Sequence, residues 1–240
     1  MLAASTAAHQ RLQATVQAQL GPELAVICTG VEGHPECLWP GERMAVAKAI
    51  PRRQREFAAG RAAARAAMRQ LGWCECAIPA REDRSPTWPE GLVGSISHSA
   101  GFCVAVVATN RHWDSIGIDI ESDQRVEPDL WPSICLPEEL QQITHEDVLT
   151  TKSRVTRLFS AKEAFFKWQY PDTLRMLDFQ DVEVRLNADG SSFEALCLRE
   201  HRDDSRRCNA TGQQFLLEGQ ILSLVVTEYP KNASKAALVS

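Results

Sequence analysis

The sequence predicts an α+β fold built from two similar halves, residues 1–114 and 115–240, on three observations. Each half carries one long helical segment, at 52–71 and at 150–170. A set of short strand-like runs follows each helix. A Pro-rich connection at 126–137 precedes the helices of the second half.

Residues 5–20, rich in Ala and Gln, fit a surface helix, and Leu24–Cys28 fits a strand. Helical patterning at Glu42–Ala49 is interrupted by Pro51. Arg52–Leu71 is rich in Ala and Arg, both good helix formers, and Gly72 follows its last apolar residue as a stop signal. Residues 73–90 contain Pro79, Pro86 and Pro89 and read as a loop. Leu92–Ser97, Phe102–Ala108 and Ile116–Glu121 read as strands, with Ser99-Ala100-Gly101 as the turn between the first two. Leu136–Ile143 reads as a helix with Pro137 in its first turn. Thr150–Tyr170 is the strongest helix of the second half, ended by Pro171. Val182–Leu186, Phe193–Leu198, Phe215–Leu217 and Ile221–Thr227 then read as strands, the charged stretch 198–211 as a surface loop and the last ten residues as a loose tail.

Composition narrows the function class. The chain has 240 residues, 44% of them hydrophobic, enough for a buried core. A formal net charge of −5 argues against a nucleic-acid binder, which tracks phosphates with a basic excess. No charged segment precedes an apolar core in residues 1–20, and no run of 18 apolar residues could cross a bilayer, so the chain is expected to stay in the cytoplasm. The eight cysteines are expected as reduced thiols, and Cys74-Glu75-Cys76 lacks zinc-ligand spacing.

Ile116-Gly-Ile-Asp-Ile-Glu121 alternates apolar and acidic residues. In a strand Ile116, Ile118 and Ile120 face inward, while Asp119 and Glu121 share the other face with backbones ~7 Å apart. A solvated acidic face is the plain reading of this fragment alone; a divalent cation between the carboxylates is the functional one. Phe159-Ser-Ala-Lys-Glu-Ala-Phe-Phe-Lys167 shifts the balance. Val155, Leu158, Phe159, Phe165 and Phe166 form an apolar stripe at helical spacing. Lys162 lands inside that stripe, and Glu163 and Lys167, four apart, share its flank. A surface ion pair would explain the last two; a third metal carboxylate beside phosphate-binding lysines would explain all three.

Candidate anion contacts lie in the first half. Ser95-Ile-Ser-His-Ser99 places hydroxyls and an imidazole where a strand enters a turn. Residues 52–65 carry five arginines, with Arg61 and Arg65 on one helix face and Arg53 two turns before Arg61. Arg84 lies in the Pro-rich loop. The chain has no Gly-x-Ser-x-Gly elbow, no GxxxxGK[ST] loop and no GxGxxG fingerprint.

Four segments in order resemble the 4′-phosphopantetheinyl transferases of the surfactin and enterobactin synthetase type. They are Arg53–Arg65, Trp88-Pro-Glu-Gly-Leu-Val-Gly-Ser-Ile-Ser-His98, Gly117-Ile-Asp-Ile-Glu121 and Phe159–Lys167. The resemblance covers about residues 50–190; the charged stretch 198–211 has no counterpart in it. It implies a pseudo-twofold pair of α/β halves with the active site in the cleft between them. It also implies Mg²⁺-dependent transfer of the phosphopantetheine arm of coenzyme A to a serine of an acyl or peptidyl carrier protein, with release of adenosine 3′,5′-bisphosphate. Asp119, Glu121 and Glu163 are then the metal ligands (Mg²⁺, with Mn²⁺ as a substitute). Ser97, His98, Arg53, Arg61 and Arg84 bind coenzyme A, with Arg65 as a substitute for one of the arginines. Lys162 and Lys167 lie at the diphosphate, and Glu163 and Lys167 act in catalysis.

Lys152, Arg154, Phe165, Trp168 and the 170–180 segment are the candidate carrier surface. Two halves in one chain imply a monomer. Whether the carrier serves siderophore, peptide, polyketide or fatty-acid synthesis stays open. A non-catalytic carrier or coenzyme A binding module and an Mg²⁺-dependent diphosphate hydrolase are the competing readings.

Overall fold

The computed structural model describes residues 5–143, 147–198 and 207–229. The chain divides into two compact units: one runs to Ile116 and resumes at Thr227, and the other is Gly117–Val226. The division falls within a strand rather than at a linker.

In the first unit, α1 (Thr6–Leu20) is capped by Ser5, whose hydroxyl accepts the Ala8 N–H. It leads into β1 (Leu24–Thr29). β1 pairs antiparallel with β3 (Phe102–Thr109), which pairs antiparallel with β2 (Leu92–Ser99), giving the order β1-β3-β2. β1 is an edge strand, and α1 covers its open side: the Gln13 and Gln17 side chains accept the Cys28 and Val26 N–H groups at 2.9 and 3.0 Å. Between β1 and β2 come a short helix, α2 (Pro40–Arg43), a 3₁₀ turn at Met44–Val46, and the long α3 (Pro51–Gln70). Pro51 thus opens α3, where its missing N–H costs nothing. The helix expected over Glu42–Ala49 is instead α2 and the 3₁₀ turn. α3 lays Ala59, Ala63, Ala64, Ala67 and Met68 on the sheet, a small-residue face that lets helix and strands approach closely.

In the second unit the sheet order is β4-β8-β7-β6-β5, with β4 (Trp113–Ser122), β5 (Val182–Leu186), β6 (Ser192–Cys197), β7 (Asn209–Leu217) and β8 (Gln220–Glu228). β5 to β8 pair as consecutive antiparallel neighbours. Two short helices, α4 (Trp131–Ile134) and α5 (Pro137–Ile143), precede α6 (Val148–Thr173), which Asp147 caps by accepting the Leu149 and Thr150 N–H groups. α4 lies in the stretch expected as an irregular connection. Pro171 does not end α6: it sits in the last turn, and Leu174, at φ 52°, closes the helix by donating to the Tyr170 carbonyl. The core gathers Val155, Leu158, Phe165 and Trp168 of α6 with Val182, Val184, Phe193 and Ala195 of the sheet. Of the loop expected at 198–211, residues 199–206 lie outside the described residues, as does the tail expected over the last ten; Asn209 to Thr211 belong to β7.

Candidate functional site

The fold builds two polar constellations, one per unit. The first is a pocket of about 710 Å³ whose lining includes Arg53, Glu56, Phe57 and Arg61 of α3, Arg81, Glu82 and Arg84 of the loop before β2, and His98 of β2. Four arginines face two glutamates there, so the pocket is basic within an acidic protein. Gly60 lets it form: a Cβ at that position would sit 2.9 Å from Ile96 Cγ2, so only glycine allows α3 to lie this close to β2. Arg53 Nη1 donates to His98 Nε2 at 2.5 Å, which makes that nitrogen the acceptor and places the imidazole proton on Nδ1. Glu56 stands 3.7 Å from Arg53 and 3.9 Å from His98.

Arg61 is 5% exposed. It stacks over the Phe57 ring at 4.2 Å and donates from Nε to the Ile78 carbonyl at 2.7 Å. Burial, reinforced by Arg65 and Arg53 and opposed by Glu42, brings its pKa down to about 10, which leaves it fully cationic at neutral pH.

Two expected contacts are absent from this pocket. Ser97 is buried on the opposite face of β2 from His98, because strand side chains alternate. Arg65 is bound elsewhere: its Nη1 donates to both oxygens of Glu42, at 2.7 and 2.9 Å, and it is 5% exposed. Glu42 also accepts the Ile78 and Trp39 N–H groups, so this pair holds α2 and the segment around Ile78 against α3 and fixes the pocket walls.

The second constellation lies where β4 meets α6. A Cβ on Gly117 would fall 2.0 Å from the Ala164 carbonyl oxygen and 2.6 Å from the Trp168 nitrogen. Glycine is therefore obligatory here, and the strand face that carries position 117 is turned to the helix. Asp119 and Glu121 are on that face by strand alternation. They are 3% and 6% exposed, and Ile118 and Ile120 are fully buried on the other face. The solvated acidic face expected as the plain reading does not exist.

Buried carboxylates need partners. Lys167 Nζ donates to Asp119 Oδ1 at 2.7 Å, and Arg125 pairs with Glu121. Glu163 completes the cluster. Burial raises its pKa above the ordinary carboxylate range; Lys167 pulls it back, while Asp119 and Glu121 push it further up. Among the described residues no three His, Cys, Asp or Glu side chains are drawn together as a preformed metal cage.

Lys162 requires a correction. It is fully buried, and its ammonium donates to Glu139 Oε2 at 2.8 Å, the Ile134 carbonyl at 2.9 Å and the Phe179 carbonyl at 3.0 Å. All three of its protons are used, so none is left for a diphosphate. Its place inside an apolar stripe was the signal: a lysine there needs a buried carboxylate, and Glu139 is that residue. Phe165 and Trp168, 0% and 2% exposed, are core rather than carrier surface. Sequence reasoning also missed Glu56 and Arg125, each readable as a charge partner three or four residues from Arg53 and Glu121.

Comparison with known proteins decides the family. Residues 41–108 match the 4′-phosphopantetheinyl transferase N-terminal domain, and residues 115–224 match the 4′-phosphopantetheinyl transferase superfamily. The chain belongs to the 4′-phosphopantetheinyl transferase superfamily. It is 33% identical to 4′-phosphopantetheinyl transferase Npt of Nocardia iowensis over 71% of this chain and 79% of that one. It is 36% identical to 4′-phosphopantetheinyl transferase Svp of Streptomyces mobaraensis, over 67% and 66%. Enterobactin synthase component D of Salmonella typhi is 35% identical over 67% of each chain. Both constellations of this transferase lie within the matched segments. No helix among its described residues is long and apolar enough to cross a membrane.

Proposed function

We propose that this transferase moves the 4′-phosphopantetheine arm of coenzyme A onto a serine hydroxyl of an apo acyl or peptidyl carrier protein, releasing adenosine 3′,5′-bisphosphate. The observation that carries this reading is the junction of β4 and α6. Gly117 brings the strand onto the helix, which sets Asp119, paired with Lys167, and Glu121 on the strand face turned to the helix that carries Glu163, close enough for their charges to act on it.

Asp119, Glu121 and Glu163 would hold Mg²⁺, with Mn²⁺ as a substitute. The donor set fits: three carboxylates are hard oxygen ligands, and Mg²⁺ is commonly held by one or two of them together with substrate phosphates, so a preformed cage is not required. When bound, the ion supplies positive charge to the diphosphate at the moment its leaving oxygen becomes anionic.

The chain's own residues supply the rest. Lys167 offers an ammonium at the carboxylate cluster for the charge on the diphosphate. Glu163, on the helix that faces this strand, is the carboxylate that takes the proton from the serine hydroxyl. Arg53, Arg61 and Arg84, with His98, give the pocket of the first unit the donors for a nucleotide carrying a 3′-phosphate. Leu174 and Met176, 63% and 80% exposed just past the end of α6, offer apolar surface to the carrier. The proposal includes action as a monomer in the cytoplasm.

The test is to incubate the enzyme with coenzyme A, Mg²⁺ and apo carriers of the siderophore, peptide, polyketide and fatty-acid classes, and to weigh each carrier. One phosphopantetheine added to a carrier serine is expected, with loss of about 10²–10³-fold in Asp119→Ala. Unmodified carriers with free phosphopantetheine in solution would replace the transferase with a hydrolase. Unmodified carriers with intact coenzyme A would leave only a binding module.

A further inference from the structure

We infer that Cys197 and Cys208 form a dithiol site that closes reversibly into a disulfide. The register of β6 and β7 pairs Ala195 with Ala210 and Leu196 with Asn209. One step further, Cys197 stands opposite Cys208, and its N–H donates to the Cys208 carbonyl at 2.7 Å. Directly opposed residues of an antiparallel pair share a sheet face with Cα atoms about 4.5–5.5 Å apart, inside the range of about 4.4–6.8 Å that a disulfide spans. The face is the inner one, since Cys197 packs at the margin of the core with Phe193, Ala195 and Ala210. Both thiols are half-buried, within reach of a small reagent.

The other cysteines lack this combination. Cys28, Cys103 and Cys135 are buried, and burial pushes their thiols up to about 12, so almost no thiolate exists at neutral pH. Cys28 and Cys103 lie on adjacent strands, but the register sets Cys28 against Val104 and Cys103 against Thr29, which puts the two on opposite faces. Cys37 and Cys74 are exposed and Cys76 is half-buried, and none of the three is opposed in any described ladder.

The site also has a place to act. Arg207, next to Cys208, donates from Nε to Asp172 at 2.7 Å and lies over the Trp168 ring at 4.6 Å. Both belong to the last turns of α6, the helix that carries Glu163 and Lys167. Closing the pair ties the entry of β7 to β6 beside that anchor.

The chemistry balances with a low-molecular-weight disulfide such as oxidised glutathione. The thiolate of one cysteine attacks a sulfur of the reagent, forming a mixed disulfide and expelling one glutathione thiolate. The other cysteine's thiolate then attacks the protein sulfur of that mixed disulfide and expels the second. The protein loses two protons and two electrons, and the reagent is reduced to two thiols.

The full-length folded enzyme is incubated with oxidised glutathione, quenched in acid, alkylated and mapped by mass spectrometry. Expected is a peptide joining Cys197 to Cys208, loss of two of the eight alkylatable thiols and a raised melting temperature, all reversed by dithiothreitol. Cys197→Ser and Cys208→Ser, each alone, should abolish the cross-link and the shift. The inference is overturned if both thiols stay alkylatable, stop at glutathione adducts, or link to other cysteines. The wild-type map decides the matter even if a variant folds poorly.

Discussion

Each unit is organised around a buried glutamate and a buried cation that follows it at a separation of 23 residues: Glu42 with Arg65 in the first, Glu139 with Lys162 in the second. In both, the glutamate lies at the start of a short helix opened by proline (Pro40, Pro137) and accepts the N–H three residues before it, from Trp39 or Leu136. In both, its second oxygen accepts an N–H from a segment beyond the long helix, Ile78 or Val184. The cations differ. Arg65 places a guanidinium with room left for Glu75 at 3.9 Å and the Trp39 ring at 5.5 Å, whereas Lys162 spends its three protons on Glu139 and two carbonyls. The surroundings differ more. After Arg65 comes Ala66; after Lys162 comes Glu163, whose carboxyl is pushed above its ordinary range by burial, with Asp119 and Glu121 adding to the effect. The clamp is therefore scaffold common to both units, and the carboxylate chemistry is an addition to one of them. A charge beside the proposed general base need not share its task.

Breaking the clamps gives the largest expected effect. Lys162→Met leaves Glu139 charged, buried and short of its cation, and should lower unfolding free energy by about 3–5 kcal/mol in urea titrations. Arg65→Met should do the same to Glu42 in the first unit. Adding Glu139→Gln to Lys162→Met should recover part of the loss, since no charge remains, while the amide NH₂ then faces one of the two backbone N–H groups that the carboxylate accepted. Equal losses would support a shared structural role. A mild effect of Lys162→Met on stability with a large one on the coenzyme A KM would return Lys162 to the diphosphate.

Much of this fold was legible because helical period and strand alternation report burial directly. The cores of α3 and α6, the hairpin at 99–102 and the acidic strand were all readable, and Pro137 marks a helix start, whereas Pro51 reads as an interruption and instead opens α3. What was not legible depends on the third dimension. The alternation of β4 shows that Asp119 and Glu121 share a face, but only Gly117 against Ala164 shows that this face meets α6 rather than water. Ser97 and His98 look equivalent in a motif, yet the strand turns them to opposite sides. Lys162 and Arg65 read as ligand contacts because sequence does not reveal that Glu139 and Glu42 consume them. The repeated Pro-x-Glu with a basic residue 23 positions after the glutamate was the available signal.

Glu163 sharpens the contrast between the units. Glu163→Gln should cost at least about 10²-fold in turnover, or about 2.7 kcal/mol, as loss of the general base. It should not destabilise the metal-free protein. A group whose pKa is raised on folding contributes its full stability below the ordinary value of 4.5, and that contribution is lost as pH rises through the raised folded value. In chelator, the melting temperature of the variant should therefore gain on wild type as pH is increased from about 4.5 upward. A gap that shrinks with pH would reverse the direction assigned to Glu163 in the metal-free protein.

The smallest effect compares the two tight hairpins. β2 and β3 close at Ser99 opposite Phe102, with Ala100 and Gly101 at φ 42° and 90°. β7 and β8 close at Leu217 opposite Gln220, with Glu218 and Gly219 at φ 56° and 68°. Two left-handed central residues are the mark of a type I′ turn, for which Asn-Gly is the favoured pair. Ala100 bears the left-handed penalty with no polar group to offset it, so Ala100→Asn should stabilise by about 0.5–1 kcal/mol in urea unfolding. Glu218 has an interaction of its own to put at risk, so the gain from Glu218→Asn should be smaller. A larger gain at Glu218 than at Ala100 would show that the lost contact matters less than backbone strain, and that the two turns store strain unequally.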